Sequence, residues 1–253
     1  MQELFKALLG HCKAGHTDLS LKYLREERSL SDEILDQFDV GYFSGDLAPL
    51  AKILPLSFLK EIGFVRESKR KDGKVYSPFA RRIIFPVKDP SSKIVGFASR
   101  VLTEANQSVQ RKYLNSEFSK THYLYGLDQS SSYIRKTNTV IVVEGQIDFL
   151  RGYQEGMRNV VGQIGSMLSP RQLFILSRYA NNIVLLADDD TAGKKASGKF
   201  LEEHREAYFD FYRCFLPYAK DLDSFLDNYT AQSAIRVIKK QIDKIREVQL
   251  GLP

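Results

Sequence analysis

Carboxylate side chains occur in three separate segments of the sequence, each placed after a run of apolar residues. Glu144 follows the run TVIVV, and Asp148 comes four residues later. Three adjacent aspartates, Asp188 to Asp190, follow the run IVLLA, while Asp221 and Asp223 come after FYRCFL. Carboxylates in such numbers repel one another unless a cation lies among them. Oxygen ligands without histidine or cysteine nearby favour Mg²⁺ or Mn²⁺ over zinc, so the pattern suits metal-dependent phosphoryl transfer.

The segments that carry these acids alternate between strand and helix. Strands are predicted at 139–144, in the NVVG segment, at 182–187 and at 208–216, and helices at 146–156, 169–179 and 191–204. Near-continuous apolar strands between helices indicate a parallel sheet covered on both faces. Ligands bind at the carboxyl ends of the strands in such a sheet, so the three acidic segments are expected to meet at one edge. In an extended segment Asp188 and Asp190 point the same way, away from Asp189, and form the better pair for a shared ligand.

The first half of the chain has a different pattern. Residues 1–60 are predicted to be mostly helical, with helices near 3–15, 18–28 and 31–38. Strands and turns follow, including the β-rich runs RRIIFPV and KIVGFASRVL, which an Asp-Pro-Ser-Ser turn joins. At the other end of the chain, isoleucines at helical spacing predict an amphipathic helix.

These patterns predict an α/β protein in three parts. Residues 1–135 form a basic, mixed α+β subdomain, and residues 136–228 form a domain with a mainly parallel four-stranded sheet flanked by helices. Residues 229–253 form the C-terminal helix, which could pack on the core or dock on a partner.

Composition narrows the class of protein. The chain has 253 residues, of which 43% are hydrophobic and 27% charged, enough for one large or two smaller cores. Its two cysteines, Cys12 and Cys214, are far apart, which favours a reducing, cytoplasmic setting over a disulfide framework. No membrane span and no secretory signal are expected from the apolar runs. From Lys60 to Lys120, 14 basic residues stand against 6 acidic ones, which suggests a polyanionic partner, with a basic solubilising surface as the alternative.

Several segments resemble, in the family's order, the catalytic core of bacterial DnaG-type primases. VVEGQIDFLRGYQEG and VLLADDDTAGKKA resemble the TOPRIM domain that primases share with topoisomerases and some nucleases, and KDLDSFL matches the family's third acidic element. Upstream, YLREERSLSDEILDQFDVGYF, YSPFARRIIFPVKD, GFASRVL, KYLNS and LYGL resemble the N-terminal half of the primase core. The resemblance covers about residues 15–228.

The resemblance implies a DNA primase that makes short RNA primers from NTPs on single-stranded DNA, with Mg²⁺ or Mn²⁺, and forms an RNA–DNA hybrid. It assigns the metal cluster to Glu144, Asp148, Asp188, Asp190, Asp221 and Asp223. Glu144, Asp188 and Asp190 would be catalytic, with Glu144 as the general base on the primer 3′-hydroxyl. The family's basic positions, which face template and nucleotide, fall on Arg82, Arg100, Lys112 and Lys120.

The chain departs from that family at its N-terminus. DnaG-type primases begin with a zinc-binding module, whereas HCKAGH offers only His11, Cys12 and His16 where a structural zinc site needs four ligands. No zinc is therefore expected. The chain would be an excised core, a minimal phage or mobile-element primase, or a subunit that takes a zinc-binding module from a partner. A replicative helicase is a further candidate partner, and no membrane partner is expected.

Two other functions stay open at this point. A TOPRIM-type nuclease would hydrolyse rather than join, but those nucleases lack the upstream primase half. A non-catalytic nucleic-acid-binding accessory protein would keep the fold, but the intact acidic set argues against it because carboxylates without a metal repel phosphates.

Overall fold

The computed structural model describes residues 1–68, 73–102, 111–165, 167–186 and 209–249. The chain divides into two compact units, Met1–Lys120 and Thr121–Pro253. Across the described ranges, no helix combines the length and the apolar character that crossing a membrane requires. The helix predicted at 191–204 and the three adjacent aspartates before it lie outside the described residues.

The first unit begins with short helices. They are α1 (Gln2–Ala14), α2 (Asp18–Lys22), α3 (Asp32–Gln37), α4 (Ala48–Ile53) and α5 (Leu56–Glu61). Thr17 begins α2 with a capping box, in which its side chain accepts from the Ser20 N–H. The single helix predicted over 18–28 is wrong in detail, because α2 passes into a π-helical turn at Tyr23–Glu27. That turn places the Tyr23 side chain in the interior, at 4% exposure.

An antiparallel sheet completes the first unit. Its strands are β1 (Gly41–Phe43), β4 (Arg82–Lys88), β5 (Ile94–Val101) and β6 (Tyr113–Asn115), and a separate hairpin pairs β2 (Arg66–Glu67) with β3 (Val75–Tyr76). The predicted Asp-Pro-Ser-Ser turn is confirmed, since Asp89 Oδ1 accepts from the N–H groups of Ser91 and Lys93. Buried aromatic rings, including Phe64 stacked on Phe79 at 4.8 Å, fill the core beneath the sheet.

The second unit has the predicted α/β architecture. Its elements are α6 (Leu127–Thr137), β7 (Thr139–Val143), α7 (Gln146–Gln154), β8 (Val160–Gly162), α8 (Pro170–Ser177), β9 (Asn182–Leu186), β10 (Asp210–Cys214), α9 (Leu222–Leu226) and α10 (Ala231–Gln249). The sheet has the order β10-β9-β7-β8, and every pair in it is parallel. Strands β7 and β8 are buried almost throughout, which explains the continuous apolar runs in those segments, and the predicted fold class is confirmed.

The C-terminal helix α10 packs on its own unit. Ile238 is 3% exposed, and Gln241 forms two hydrogen bonds with the main chain of Phe215, at 3.1 Å to its N–H and 2.7 Å to its carbonyl. Arg246 donates to the Tyr212 hydroxyl at 2.7 Å. These contacts fix the end of β10, from which the chain continues toward the acidic residues of the third segment.

Candidate functional site

An acidic cleft lies at the carboxyl edge of the parallel sheet. Glu144 is exposed directly after β7, and Asp148, only 9% exposed, lies in the first turn of α7. The cleft is partly open, and its space together with the solvent at its mouth is about 260 Å³. Its lining consists of Glu144, Asp148, Asp221, Lys220, Val143, Leu186, Leu216 and Leu222. The first and third acidic segments therefore meet there, as the strand order predicts.

The LYGL segment holds α7 in place. Tyr125 exchanges two main-chain hydrogen bonds with Gly162, at 2.9 and 3.0 Å, and its ring packs edge-on against Phe149 at 5.1 Å. Gly126 begins α6 with φ of +77°, and a Cβ at this position would overlap the Phe149 ring. Only glycine meets both conditions without strain. The turn therefore fixes the helix that carries Asp148.

Hydrogen bonds orient the third acidic segment. Asp221 is the N-cap of α9, and its Oδ1 accepts from the N–H of Ser224 at 2.9 Å and from the Ser224 hydroxyl at 2.6 Å. The N–H of Asp223 donates to Oδ1 of Asp148 at 3.1 Å. The start of α9 is thus joined directly to α7, so the carboxylates of two segments are positioned together.

Asp223 faces a buried arginine beside the cleft. Its Oδ1 lies 3.3 Å from Nε of Arg151, and the side chains are 9% and 5% exposed. Asp227 and Glu155 lie 3.2 and 3.8 Å from the same guanidinium. The structure therefore separates the predicted acids: Glu144, Asp148 and Asp221 line the cleft, whereas Asp223 belongs to an ion-pair cluster.

The other two predicted ligands, Asp188 and Asp190, lie outside the described residues. Leu186, at the end of β9, lines the cleft, and the chain continues from it toward both aspartates. Among the residues with described positions, no three acidic, histidine or cysteine side chains are grouped to hold a metal ion.

The four predicted basic residues divide into two buried and two exposed. Arg82 on β4 is 2% exposed, and its guanidinium donates to the carbonyls of Pro78, Arg111 and Lys112 at 2.8 to 3.3 Å. Loss of hydration on burial lowers the pKa of Arg82. This arginine fixes the chain that enters β6.

Arg100 lies between two tyrosine rings. It is 6% exposed on β5 and donates to the Tyr113 hydroxyl at 2.9 Å. Its guanidinium carbon is 5.5 Å from the centroid of the Tyr113 ring and 5.7 Å from that of Tyr23. Such cation–π contacts are stronger when the cation is desolvated. The arginine thus links the π-helical turn to β6.

Lys112 and Lys120 are both exposed, one before β6 and one after it. Nζ of Lys112 lies 5.9 Å from the centroid of the Tyr113 ring. Exposed lysines can contact phosphates, whereas a buried guanidinium bound to its own main chain is occupied. Of the four predicted template contacts, Lys112 and Lys120 are thus the exposed ones.

The histidines and cysteine of HCKAGH contact other residues of the first unit, where the His11 ring lies 6.1 Å from the Phe43 ring. Cys12 lies in the core with no exposed surface, and burial raises the pKa of its thiol to about 12. His16 contacts the Val40 carbonyl and the Ser20 hydroxyl, each at 3.1 Å. These side chains therefore have structural roles in the first unit.

Each half of the chain matches a known domain family. Residues 9–131 match the DNA primase catalytic core, N-terminal domain, and residues 141–226 match a Toprim-like domain. The chain belongs to the bacterial DnaG-type DNA primase family. Members of this family are DNA replication enzymes that make RNA primers, and they are typically metal-dependent.

Individual primases are similar in sequence and fold. The DNA primase of Aquifex aeolicus is 32% identical over 219 residues, which are 84% of this chain and 43% of that protein. A DNA primase domain from Pseudomonas aeruginosa superposes with a TM-score of 0.83 at 28% identity, over 95% of this chain and 78% of that one. A DnaG primase catalytic domain bound to ssDNA superposes with a TM-score of 0.81 at 25% identity, over 94% of this chain and 80% of that one. The chain spans less than half the length of the curated relatives that it matches.

Two residues at the primase-family site escaped the sequence interpretation. Lys220 lines the acidic cleft directly before Asp221, a position that could have been read from KDLDSFL. Arg151 gave no such signal, because its partner Asp223 lies 72 residues further along the chain. A cation beside the cleft can bind phosphate oxygens, and a buried cation can hold a carboxylate away from a metal.

Proposed function

We propose that this chain is the catalytic core of a DNA primase, which joins ribonucleoside triphosphates into short RNA on a single-stranded DNA template. The proposal rests on one observation: Glu144, Asp148 and Asp221 line the same cleft in a primase-family fold. The related catalytic domain bound to ssDNA supports the choice of template. A replicative helicase and a separate zinc-binding module are the partners that the family suggests.

The donor set of the cleft fits a hard divalent cation. Its described ligands are carboxylates, and Mg²⁺ or Mn²⁺ binds a few carboxylates together with substrate phosphates. No three of the described side chains are grouped to hold an ion by themselves, so Glu144, Asp148 and Asp221 would hold it together with Asp188 and Asp190 from the adjoining segment. A bound ion would offset the negative charge of the triphosphate.

The side chains of the cleft then have distinct tasks. Glu144, exposed at the mouth, accepts the proton of the primer 3′-hydroxyl as that oxygen bonds to the α-phosphorus and pyrophosphate leaves. Asp148 and Asp221 are already held by hydrogen bonds from Asp223 and Ser224, so little reorganisation is needed. Lys220 contributes positive charge beside the phosphates.

Lys112 and Lys120 are proposed to contact the template backbone. Their exposure and charge suit phosphate contacts, which give affinity and position without reading base sequence. The RNA–DNA hybrid formed during synthesis presents the same backbone chemistry to the same basic surface.

A primer synthesis assay tests the proposal. The protein is incubated with single-stranded DNA, the four NTPs and Mg²⁺ or Mn²⁺, and the labelled products are resolved by length. Template-dependent RNA oligomers are expected. Shortened template would indicate a nuclease, and binding without either product would indicate an accessory protein; both results would overturn the proposal.

A further inference from the structure

Tyr218 occupies an unusual position in the loop between β10 and α9. It is 94% exposed, and its φ is +64°, in the left-handed region that non-glycine residues rarely adopt. Bulky side chains are strained in this region, and an aromatic ring usually stabilises a fold through burial. At 94% exposure the Tyr218 ring gains little from burial to offset that strain.

The loop around Tyr218 is anchored at both ends. Both main-chain groups of Phe215 bond to Gln241 of α10, and Asp221 begins α9 as its N-cap. Strained residues persist where the surrounding structure determines them, and such residues concentrate at binding sites. The fixed ends of this loop can hold the Tyr218 ring out in solvent.

The loop also borders the acidic cleft. Leu216 and Lys220, two residues before and two after Tyr218, both line the cleft. Two residues of chain span about 7 Å at most, so the backbone of Tyr218 lies next to the cleft mouth. An exposed aromatic side chain is thus carried on the loop that also supplies a cation and a carboxylate, Lys220 and Asp221, to the cleft.

We propose that Tyr218 is a stacking platform for a nucleobase at the mouth of this cleft, an inference that rests on the proposed primase function. A nucleotide has its phosphates at one end and its base at the other. With phosphates near Lys220 and the carboxylates, a base displaced toward the loop meets the Tyr218 ring. Stacking on an aromatic face accepts every base, as synthesis on any template requires. The base belongs either to the NTP or to a nucleic-acid strand.

The absence of tryptophan from the sequence provides a direct test. Tyr218→Trp introduces the only tryptophan of the chain, which is excited at the red edge where the 13 tyrosines of the parent sequence absorb little. The variant is titrated in Mg²⁺ with ATP, tripolyphosphate, a thymidine 12-mer and an abasic 12-mer. Saturable quenching is expected from a ligand with bases and not from its base-free counterpart. Stronger quenching by ATP than by tripolyphosphate assigns the base to the NTP. Stronger quenching by the thymidine 12-mer than by the abasic 12-mer assigns it to the strand. Equal quenching within both pairs would overturn the proposal.

A matched control places the fluorophore elsewhere in the same unit. Tyr133 is 44% exposed on α6, whose last turn leads into the start of β7 and thus to the opposite end of the strands. Tyr133→Trp should show no base-dependent quenching. If it responds like Tyr218→Trp, the signal is not specific to the loop and the assignment fails.

Conservative variants separate stacking from backbone effects. Tyr218→Asn suits the left-handed backbone, so the melting temperature should not fall, while labelled-ligand anisotropy should show roughly tenfold weaker binding. Tyr218→Phe keeps the ring and should bind as the unmodified chain does. Unchanged affinity in Tyr218→Asn would overturn stacking while the primase function stands. Base-dependent quenching without primer synthesis would overturn the function and leave stacking in place.

Discussion

Arg151 and Asp223 form a buried ion pair beside the acidic cleft, with 3.3 Å between Nε and Oδ1. The arginine already compensates the carboxylate, and it would repel a second cation on the same oxygens. The N–H of Asp223 meanwhile donates to Asp148. We therefore expect Asp223 to be a positioning residue for Asp148 and not a metal ligand.

Asp223→Asn separates these two roles. The amide removes the charge that balances buried Arg151, so the free energy of unfolding should fall by about 2 kcal/mol, a loss limited by the remaining contact with Asp227. Mn²⁺ affinity, measured by titration calorimetry, should change by no more than about threefold. A large loss of Mn²⁺ affinity at unchanged stability would make Asp223 a ligand.

Asp221→Asn is the matched variant, and it should lose Mn²⁺ affinity while keeping its stability. Asparagine caps a helix about as well as aspartate, so the start of α9 and the melting temperature should be preserved. Loss of one carboxylate from the cleft should weaken Mn²⁺ binding at least tenfold, since neutral oxygen ligands attract the ion less. Retained affinity in this variant would remove Asp221 from the ligand set.

Glu144→Gln should abolish most primer synthesis without unfolding the chain. Loss of a general base lowers rates by about 10² to 10⁴-fold, and an exposed side chain contributes little to stability. The rate is measured in the primer assay at saturating template, and the melting temperature by circular dichroism. Primer formation at the normal rate would contradict the role assigned to Glu144.

The parallel sheet could be predicted from sequence because its signals are local. Ser169 caps α8 by accepting from the N–H of Gln172, and Pro170 is its first residue, as their types indicate. Three-residue strands such as β1 are too short to show a periodic pattern, and β1 forms only because it pairs with β4. Local propensity did not reveal the π-helical turn at Tyr23–Glu27 either.

The site could be predicted only in part, because burial depends on distant residues. The family resemblance grouped Arg82, Arg100, Lys112 and Lys120 as one set, since a sequence does not show which basic side chain is covered. Arg82 is buried by chain that lies 29 and 30 residues away. The Arg151–Asp223 pair likewise depends on the docking of α9 against α7, which neither helix encodes by itself.

Lys112→Ala and Lys120→Ala should each weaken binding of single-stranded DNA. Each lysine that neutralises a phosphate releases a counterion, so the slope of log K against log salt should become shallower by about 0.7 per residue. Fluorescence anisotropy between 50 and 200 mM salt measures the slope. Lys6→Ala, on an exposed residue paired with Glu3, is the charge control and should leave it unchanged. An unaltered slope in both test variants would exclude them from the template path.

Asp39→Asn should remove a pH-dependent part of the stability of the first unit. Burial alone would raise the pKa of Asp39, but hydrogen bonds from Lys88 and Lys13, each at 2.9 Å, outweigh it and lower the pKa. A lowered carboxyl pKa adds stability above its unfolded value of about 3.9, and this stability is lost as pH falls through the folded pKa.

The Asp39→Asn variant should therefore be less stable by about 1–2 kcal/mol at pH 7, and the difference should shrink as pH falls below about 4. Asparagine tolerates the φ of +52° at this position, so backbone strain does not confuse the comparison. Asp36→Asn, at a carboxylate 80% exposed and 3.6 Å from Lys13, should have little effect. Urea unfolding at pH 7 and pH 3 measures both variants. A difference as large at pH 3 as at pH 7 would show that the ionised carboxylate is not its source.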